Sequence, residues 1–252
     1  MIQALLQSAV LFAIPARGGS KRLKRKNLAL LGGKPMLAYT IAAAWESGLA
    51  DEVYVCTEDA EIADISKAYG AMVFPISESM AADDVSSTVP CLALYDFLVR
   101  DDRIPDFIFN LQPSSPLRTA VDIQNAFEAL RVAQADFLVS VTAIDPHYFH
   151  WALQQHEQGW SMFFGERFLR ERTMLDPVWR PNGAIKLARA LQLKRSGNFF
   201  GSPLAVCEMP EERSIHVATG FDLTCAEAML GKTSDFHPDG AVSAPSLATA
   251  RK

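Results

Sequence analysis

The chain has 252 residues, of which 49% are hydrophobic, 21% charged and 10% aromatic, with a formal net charge of -5 at pH 7. That length carries one large domain, or one domain with a smaller insertion, and buries a core without staples. The composition excludes disordered, collagen-like and coiled-coil chains, and four scattered cysteines (Cys56, Cys91, Cys207, Cys225) with no C-x-x-C pair signal neither a zinc site nor a disulfide framework.

From Met1 to Ala16 the chain is largely apolar, but its basic residues follow the run instead of preceding it, unlike a secretory signal. No stretch approaches the roughly 18 unbroken apolar residues of a spanning helix. The expectation is an untargeted, soluble, cytoplasmic protein with no membrane partner. Charge is unevenly spread. Arg17, Lys21, Arg22, Lys24, Arg25, Lys26 and Lys34 all precede the first acidic residue, Glu46, so one early segment is strongly basic inside an acidic chain. The run is short and sits in a loop without interleaved aromatic platforms, which speaks against nucleic acid as a partner.

The elements follow in chain order. An apolar strand at Val10–Ile14 runs into Pro15-Ala16-Arg17-Gly18-Gly19-Ser20-Lys21, and a helix starts at Pro35 and ends near Gly48. Strand-like Glu52–Thr57, a helix at Asp59–Tyr69 stopped by Gly70, and a strand at Ala71–Phe74 come next. A helix at Thr88–Arg100, a strand at Asp106–Leu111, a helix at Val121–Ala133 and a strand at Phe137–Ile144 continue the rhythm. Such alternation predicts an α/β fold on a mainly parallel sheet with right-handed crossovers. Between Asp145 and Trp179 the alternation fails, and this stretch holds three of the four tryptophans (Trp151, Trp160, Trp179). It reads either as an inserted arm that packs on a partner subunit or as an irregular, locally packed excursion. A strand at Ala184–Leu187, a short helix at Ala188–Lys194, a strand at Leu204–Met209 and a helix at Leu223–Leu230 follow. From Lys232 the composition is that of a flexible tail.

The first loop carries the clearest chemistry. In an open α/β sheet, ligands bind beyond the carboxyl ends of the strands, and the first strand-to-helix loop is a favoured phosphate site. Gly18 and Gly19 allow close approach of the backbone to an anion, while Arg17 and Lys21 offer a forked and a compact cation suited to a triphosphate. The segment is neither G-x-x-x-x-G-K-[ST] nor G-x-G-x-x-G, which disfavours P-loop ATPases and dinucleotide dehydrogenases.

Three motifs in order, Ile14-Pro15-Ala16-Arg17-Gly18-Gly19-Ser20-Lys21-Arg22 with Lys26-Asn27 and Gly33-Lys34-Pro35, then Leu111-Gln112-Pro113-Ser114-Ser115-Pro116-Leu117-Arg118, then Arg180-Pro181-Asn182-Gly183-Ala184-Ile185, resemble the signatures of the acylneuraminate cytidylyltransferases. The resemblance implies a Rossmann-like three-layer nucleotidyltransferase fold over residues 1–231, with 145–179 an inserted dimerisation and substrate arm and 232–252 a flexible tail. It implies transfer of CMP from CTP to the anomeric hydroxyl of a nonulosonic acid, release of pyrophosphate, Mg²⁺ as cofactor, and a homodimer. Arg17 and Lys21 are the implied catalytic residues. Arg17, Gly18, Gly19, Ser20, Lys21, Asn27, Ser86, Ser87 and Gln112 are the implied nucleotide contacts, with Gln112 shared between nucleotide and sugar. Arg172, Arg180, Asn182, Lys186, Phe199 and Phe200 are the implied sugar contacts, although plain core packing is the competing reading of the two phenylalanines.

The departures from the family pattern are specific. Where the family has S-I-D-I-D-T, with two aspartates on the catalytic magnesium, this chain has Ser214-Ile215-His216-Val217-Ala218-Thr219. Magnesium prefers hard oxygen ligands, so no protein ligand carries over, and Asp222 or Glu211 are the carboxylates left to assist. Lys24 replaces a usual proline, Glu58 a usual aspartate and Lys186 a frequent tyrosine, and His147 to Trp151 lacks an expected lysine. These changes point to an acceptor other than N-acetylneuraminate, with legionaminate-like acids ahead of the octulosonic acid of lipopolysaccharide. The loss of both carboxylates also leaves open a degenerate relative that binds CTP or a CMP-sugar without transfer, as a regulatory or interaction protein.

Overall fold

A computed structural model of the protein describes residues 9–49 and 52–230; the tail expected at 232–252 lies outside them. The strands are β1 (Val10–Pro15), β2 (Leu30–Leu31), β3 (Lys34–Pro35), β4 (Val53–Thr57), β5 (Met72–Pro75), β6 (Phe107–Asn110), β7 (Phe137–Ile144), β8 (Leu153–His156), β9 (Gly159–Met162), β10 (Val178–Arg189) and β11 (Leu204–Glu208). The α-helices are α1 (Met36–Glu46), α2 (Ala60–Ala68), α3 (Thr88–Arg100), α4 (Ala120–Val132), α5 (Pro146–His150), α6 (Ala190–Ser196) and α7 (Gly220–Leu230).

Seven strands form one sheet in the order β11-β7-β10-β6-β1-β4-β5. All its pairings are parallel except those of β10, which runs antiparallel to both β6 and β7. The central strands read as continuous apolar runs because both faces of the sheet are covered. In β1, Phe12 and Ile14 enter one buried cluster with Leu37 and Ile41 of α1 and Ile123 and Phe127 of α4. Leu11 and Ala13 enter the opposite cluster with Leu94 and Leu98 of α3 and Leu193 of α6. The period-two alternation of one strand thus builds two cores, giving the three-layer α/β architecture that the sequence predicts.

Local chemistry sets the helix starts. Asp59 accepts the amide of Ile62 at 3.0 Å and caps α2, and Thr119 with Asp122 forms a capping box on α4. One part of the sequence reading is corrected. The strand expected at Ala184–Leu187 is the end of a twelve-residue strand, β10, whose register breaks between Pro181 and Lys186. The stretch between β7 and β10, read as an inserted arm or an irregular excursion, holds α5, an antiparallel β8–β9 hairpin and two 3-10 turns (Gly165–Leu169 and Arg172–Met174).

After β1 the chain builds outward through β4 and β5, then returns to place β6 on the other side of β1. The reversal of direction at β1 opens a crevice at the carboxyl ends of β1, β4 and β6, where ligands bind in such sheets. Arg17, Glu58 and Gln112 follow these three strand ends within two residues.

Candidate functional site

The loop after β1 is pinned before it is charged. The buried Asn27 side chain donates to the Arg17 carbonyl at 2.8 Å, and the Ser20 amide donates to the Gly18 carbonyl at 3.0 Å. The Gly18 amide donates to Glu58 Oε1 at 2.8 Å, while Glu58 Oε2 is buried without a partner. A Cβ on Gly18 would lie 2.4 Å from Asp59 Oδ2, whereas one on Gly19 meets nothing within 4 Å. Gly18 therefore serves loop packing, and Gly19 is the glycine that leaves space open.

The two cations proposed for an anion converge on one. Arg17 Nη2 lies 3.0 Å from Asp83 Oδ1 and Lys21 Nζ lies 2.5 Å from Asp83 Oδ2, and Arg17 Nη1 also donates to the Ala81 carbonyl at 3.2 Å. The bond from Lys21 holds the Asp83 carboxyl below the usual carboxylate range. Geometrically, Asp83 occupies the place between guanidinium and ammonium that a phosphate oxygen would take.

Behind this pair lies a cavity of about 190 Å³ between the β1 loop, the segment from Ile76 to Ser87, and Gln112-Pro113-Ser114. Arg17, Ser20, Lys26 and Asn27 line it on one side, Ser86, Ser87 and Gln112 on the other. At the far wall three donors reach the Ser87 hydroxyl: Asn110 Nδ2 at 3.1 Å, Gln112 Nε2 at 3.3 Å and Lys186 Nζ at 3.4 Å. Ser86 instead accepts from the Thr88 amide at 3.2 Å and steadies the start of α3. Lys186 has no carboxylate within ion-pair distance among the described residues, and burial pulls its ammonium pKa down. Lys26 is likewise half-buried, its pKa lowered by burial and by Arg22 and Arg17.

The break in β10 lies behind Gln112 and Ser114. Asn182 is buried there: its Oδ1 accepts from Ser140 Oγ at 2.5 Å and from the Ala184 amide at 3.0 Å, and its Nδ2 donates to Ser214 Oγ at 2.9 Å. Gly183 follows at φ +77°, a conformation that favours glycine, and a Cβ there would meet His216 Nδ1 at 3.4 Å and Gln112 Oε1 at 3.8 Å. His216 Nδ1 also lies 3.3 Å from Ser114 Oγ. Burial lowers the pKa of the imidazole, Lys26, Arg22 and Arg180 push it the same way, and Asp222 opposes them.

The expected sites for magnesium do not fit the ion. His216 and Ala218 stand at the two positions, and Asp222 Oδ2 is committed to the amides of Ala218 and Thr219 at 3.0 and 2.8 Å and to the Thr219 hydroxyl at 2.8 Å, capping α7. Glu211 opens an exposed one-turn helix, Glu211–Arg213. No group of three or more His, Cys, Asp or Glu among the described residues is arranged to hold a metal.

The structure thus gathers Arg17, Ser20, Asn27, Ser86, Ser87 and Gln112 around one cavity, with Lys21 at its mouth and Lys186 at its far wall. Arg180 is exposed on β10 and reaches the group through its field on His216. Two expected sugar contacts are corrected. Asn182 spends its donors and acceptor holding the β10 break, so it positions Gly183 and His216 from behind. Phe199 is 1% exposed in the core with Leu193 and Phe137, which leaves only its half-exposed neighbour Phe200 facing outward. The side chain of Arg172 lies outside the described residues. Sequence reasoning gave no role to Lys26 or Asp83, although the Lys26-Asn27 pair and the acidic Asp83-Asp84 stretch opposite a basic loop carried the signal.

A family model described as cytidylyltransferase matches residues 11–155. The chain is 35% identical over 228 residues to a CMP-N,N'-diacetyllegionaminic acid synthase of Legionella pneumophila, covering 88% of this chain and 96% of that one. It is 32% identical to an N-acylneuraminate cytidylyltransferase of Streptococcus agalactiae, covering 83% of this chain and half of that longer one. Among solved structures it superposes on a CMP:2-keto-3-deoxy-manno-octonic acid synthetase complexed with CTP, with a TM-score of 0.68 at 19% identity, covering 90% of this chain and all of the other. That likeness supports the fold, and the two sequence relatives place the chain more narrowly. The chain belongs to the cytidylyltransferase family, among the relatives of the legionaminic and acylneuraminic acid enzymes.

Proposed function

We propose that the protein transfers CMP from CTP to the anomeric hydroxyl of a nonulosonic acid and releases pyrophosphate. The observation that carries this reading is the convergence of Arg17 and Lys21 on a single carboxylate at the mouth of a cavity lined at its other end by Ser86, Ser87 and Gln112. Such a site takes a polyanion at one end and a hydrogen-bonding ring at the other. Transfer of this kind needs little covalent work from the protein and much positioning and charge neutralisation. In the proposed assignment Arg17 and Lys21 hold the triphosphate. Ser87, with Gln112, faces the cytosine and ribose, and Lys186 with Arg180 faces the acid. The relatives carry names of synthases and transferases, which supports an enzyme over a binding protein without transfer.

The relatives also differ in their acceptor: legionaminic, acylneuraminic and pseudaminic acids appear in their names. The identity to the legionaminic enzyme supports a legionaminate-like acid. The arm from α5 to Met174 exposes Tyr148, Trp151, Trp160 and Phe163, a surface suited to a second subunit, and a homodimer is part of the same proposal. No helix among the described residues is long and apolar enough to cross a membrane, which is compatible with a cytoplasmic site of action. The test is pyrophosphate release by the purified protein with CTP and a panel of nonulosonic and octulosonic acids. Release with one nonulosonic acid is the expected result. Silence across the panel with intact CTP binding would favour the non-catalytic reading instead.

A further inference from the structure

The charges around the cavity are one-sided. Lys26 lines the cavity and Lys186 reaches the hydroxyl of Ser87, which lines it, at 3.4 Å; neither lysine has a carboxylate within ion-pair distance among the described residues. The carboxylates that do touch the loop are largely committed. Asp59 pairs with Arg25 at 2.5 Å, Asp83 bridges Arg17 and Lys21, and Glu58 accepts the Gly18 amide through Oε1, which leaves its buried Oε2 as the one uncommitted oxygen among these three side chains. His216 sits where Lys26, Arg22 and Arg180 all act on it, and the nearby Asp222 caps a helix. Buried or half-buried cations without counter-ions are costly unless a ligand supplies the anion.

We infer that this site holds its triphosphate through fixed protein cations, with Lys26 as the member that lines the cavity, and does not require a metal ion ligated by the protein. The inference rests on the nucleotide reading above and concerns how that nucleotide is neutralised. The sign of the metal effect distinguishes the two designs. In a site built on carboxylates, a divalent ion bridges two sets of negative charge, so removing it exposes their repulsion and affinity collapses. In a site built on cations, a divalent ion cancels part of the ligand's charge before it arrives, so removing it leaves affinity equal or tighter.

Calorimetric titration of the full chain with CTP, at fixed ionic strength, with Mg²⁺ or with a chelator, separates them. The expected Kd in chelator is tighter than, or within about threefold of, the Mg²⁺ value. Lys26→Gln is expected to weaken binding about tenfold in both conditions. Changing His216→Asp and Ala218→Asp together is expected to reverse the response, with binding about tenfold weaker in chelator and recovered by Mg²⁺. A wild-type Kd weakened tenfold or more by the chelator would overturn the inference while leaving the nucleotide reading intact. No CTP binding in either condition would overturn both.

Discussion

Replacing Gly18 by alanine tests whether the first loop is held by packing against the start of α2. The new methyl would sit 2.4 Å from Asp59 Oδ2 and 3.0 Å from its Cβ and Cγ, so Asp59 must move. Asp59 caps α2 through the Ile62 amide at 3.0 Å and pairs with Arg25 at 2.5 Å, and both contacts are strained by that movement. Loss of the cap alone costs about 1 kcal/mol, which for a chain of this size lowers Tm by about 2–4 °C. The Gly18 amide, 2.8 Å from Glu58 Oε1, shifts with it and carries Arg17 out of register, so CTP affinity falls about tenfold or more. Gly19→Ala is the internal control. Its methyl meets nothing within 4 Å, so stability stays within about 0.5 kcal/mol of wild type. Differential scanning fluorimetry and CTP titration of the two variants make the comparison. A Gly18→Ala protein as stable and as tight-binding as wild type, or a Gly19→Ala protein that melts earlier, would refute the packing argument.

Three further outcomes follow from the same geometry. Asp83→Asn removes the carboxylate lying between Arg17 and Lys21, and CTP binding tightens by about threefold because the nucleotide no longer displaces an internal anion; weaker binding would show that Asp83 orders the cations instead. Lys186→Met raises Tm while transfer drops about a hundredfold. Its lysine pKa is depressed in the fold, so the folded state binds fewer protons below the unfolded value and the charge costs stability at neutral pH; a less stable methionine variant would contradict this. The depressed pKa of His216 has the same sign: its contribution is complete above the unfolded histidine value of about 6.5 and is lost as pH falls through the folded one. Denaturant titrations at about pH 7.5 and about pH 5.5 should show a steeper loss for wild type than for His216→Asn, and parallel losses would remove the effect.

Much of the framework is legible in the chain because buried parallel strands have no polar alternation to blur them. Val10–Pro15, paired parallel on both sides, is an apolar run that ends in turn residues, and the helix at Thr88–Arg100 is delimited by Ser87 and the Asp101-Asp102 turn. The first half of β10 is hidden by its own function. Arg180, Pro181, Asn182 and Gly183 look like a turn because they form a break in an antiparallel strand, and Asn182 is recognisable as its clasp only when Ser140 and Ser214 are beside it. The hairpin β8–β9 is short, polar and exposed, so neither period-two alternation nor apolar content marks it. Phe199 and Phe200 are neighbours in sequence with opposite fates, and nothing local says which one faces the core. The field around His216 is also a product of folding, since Arg22 and Lys26 come from the first loop and Arg180 from β10. What the sequence does hold is the basic side of the cavity, where Arg17 to Asn27 form one continuous segment.

The most direct test of the account is a phosphorus NMR spectrum of the protein incubated with CTP and a legionaminate- or neuraminate-type acid. The account predicts loss of the three CTP resonances and growth of pyrophosphate together with a single phosphodiester signal, the CMP ester of the acid. Unchanged CTP, or CMP and pyrophosphate without the diester, would contradict it.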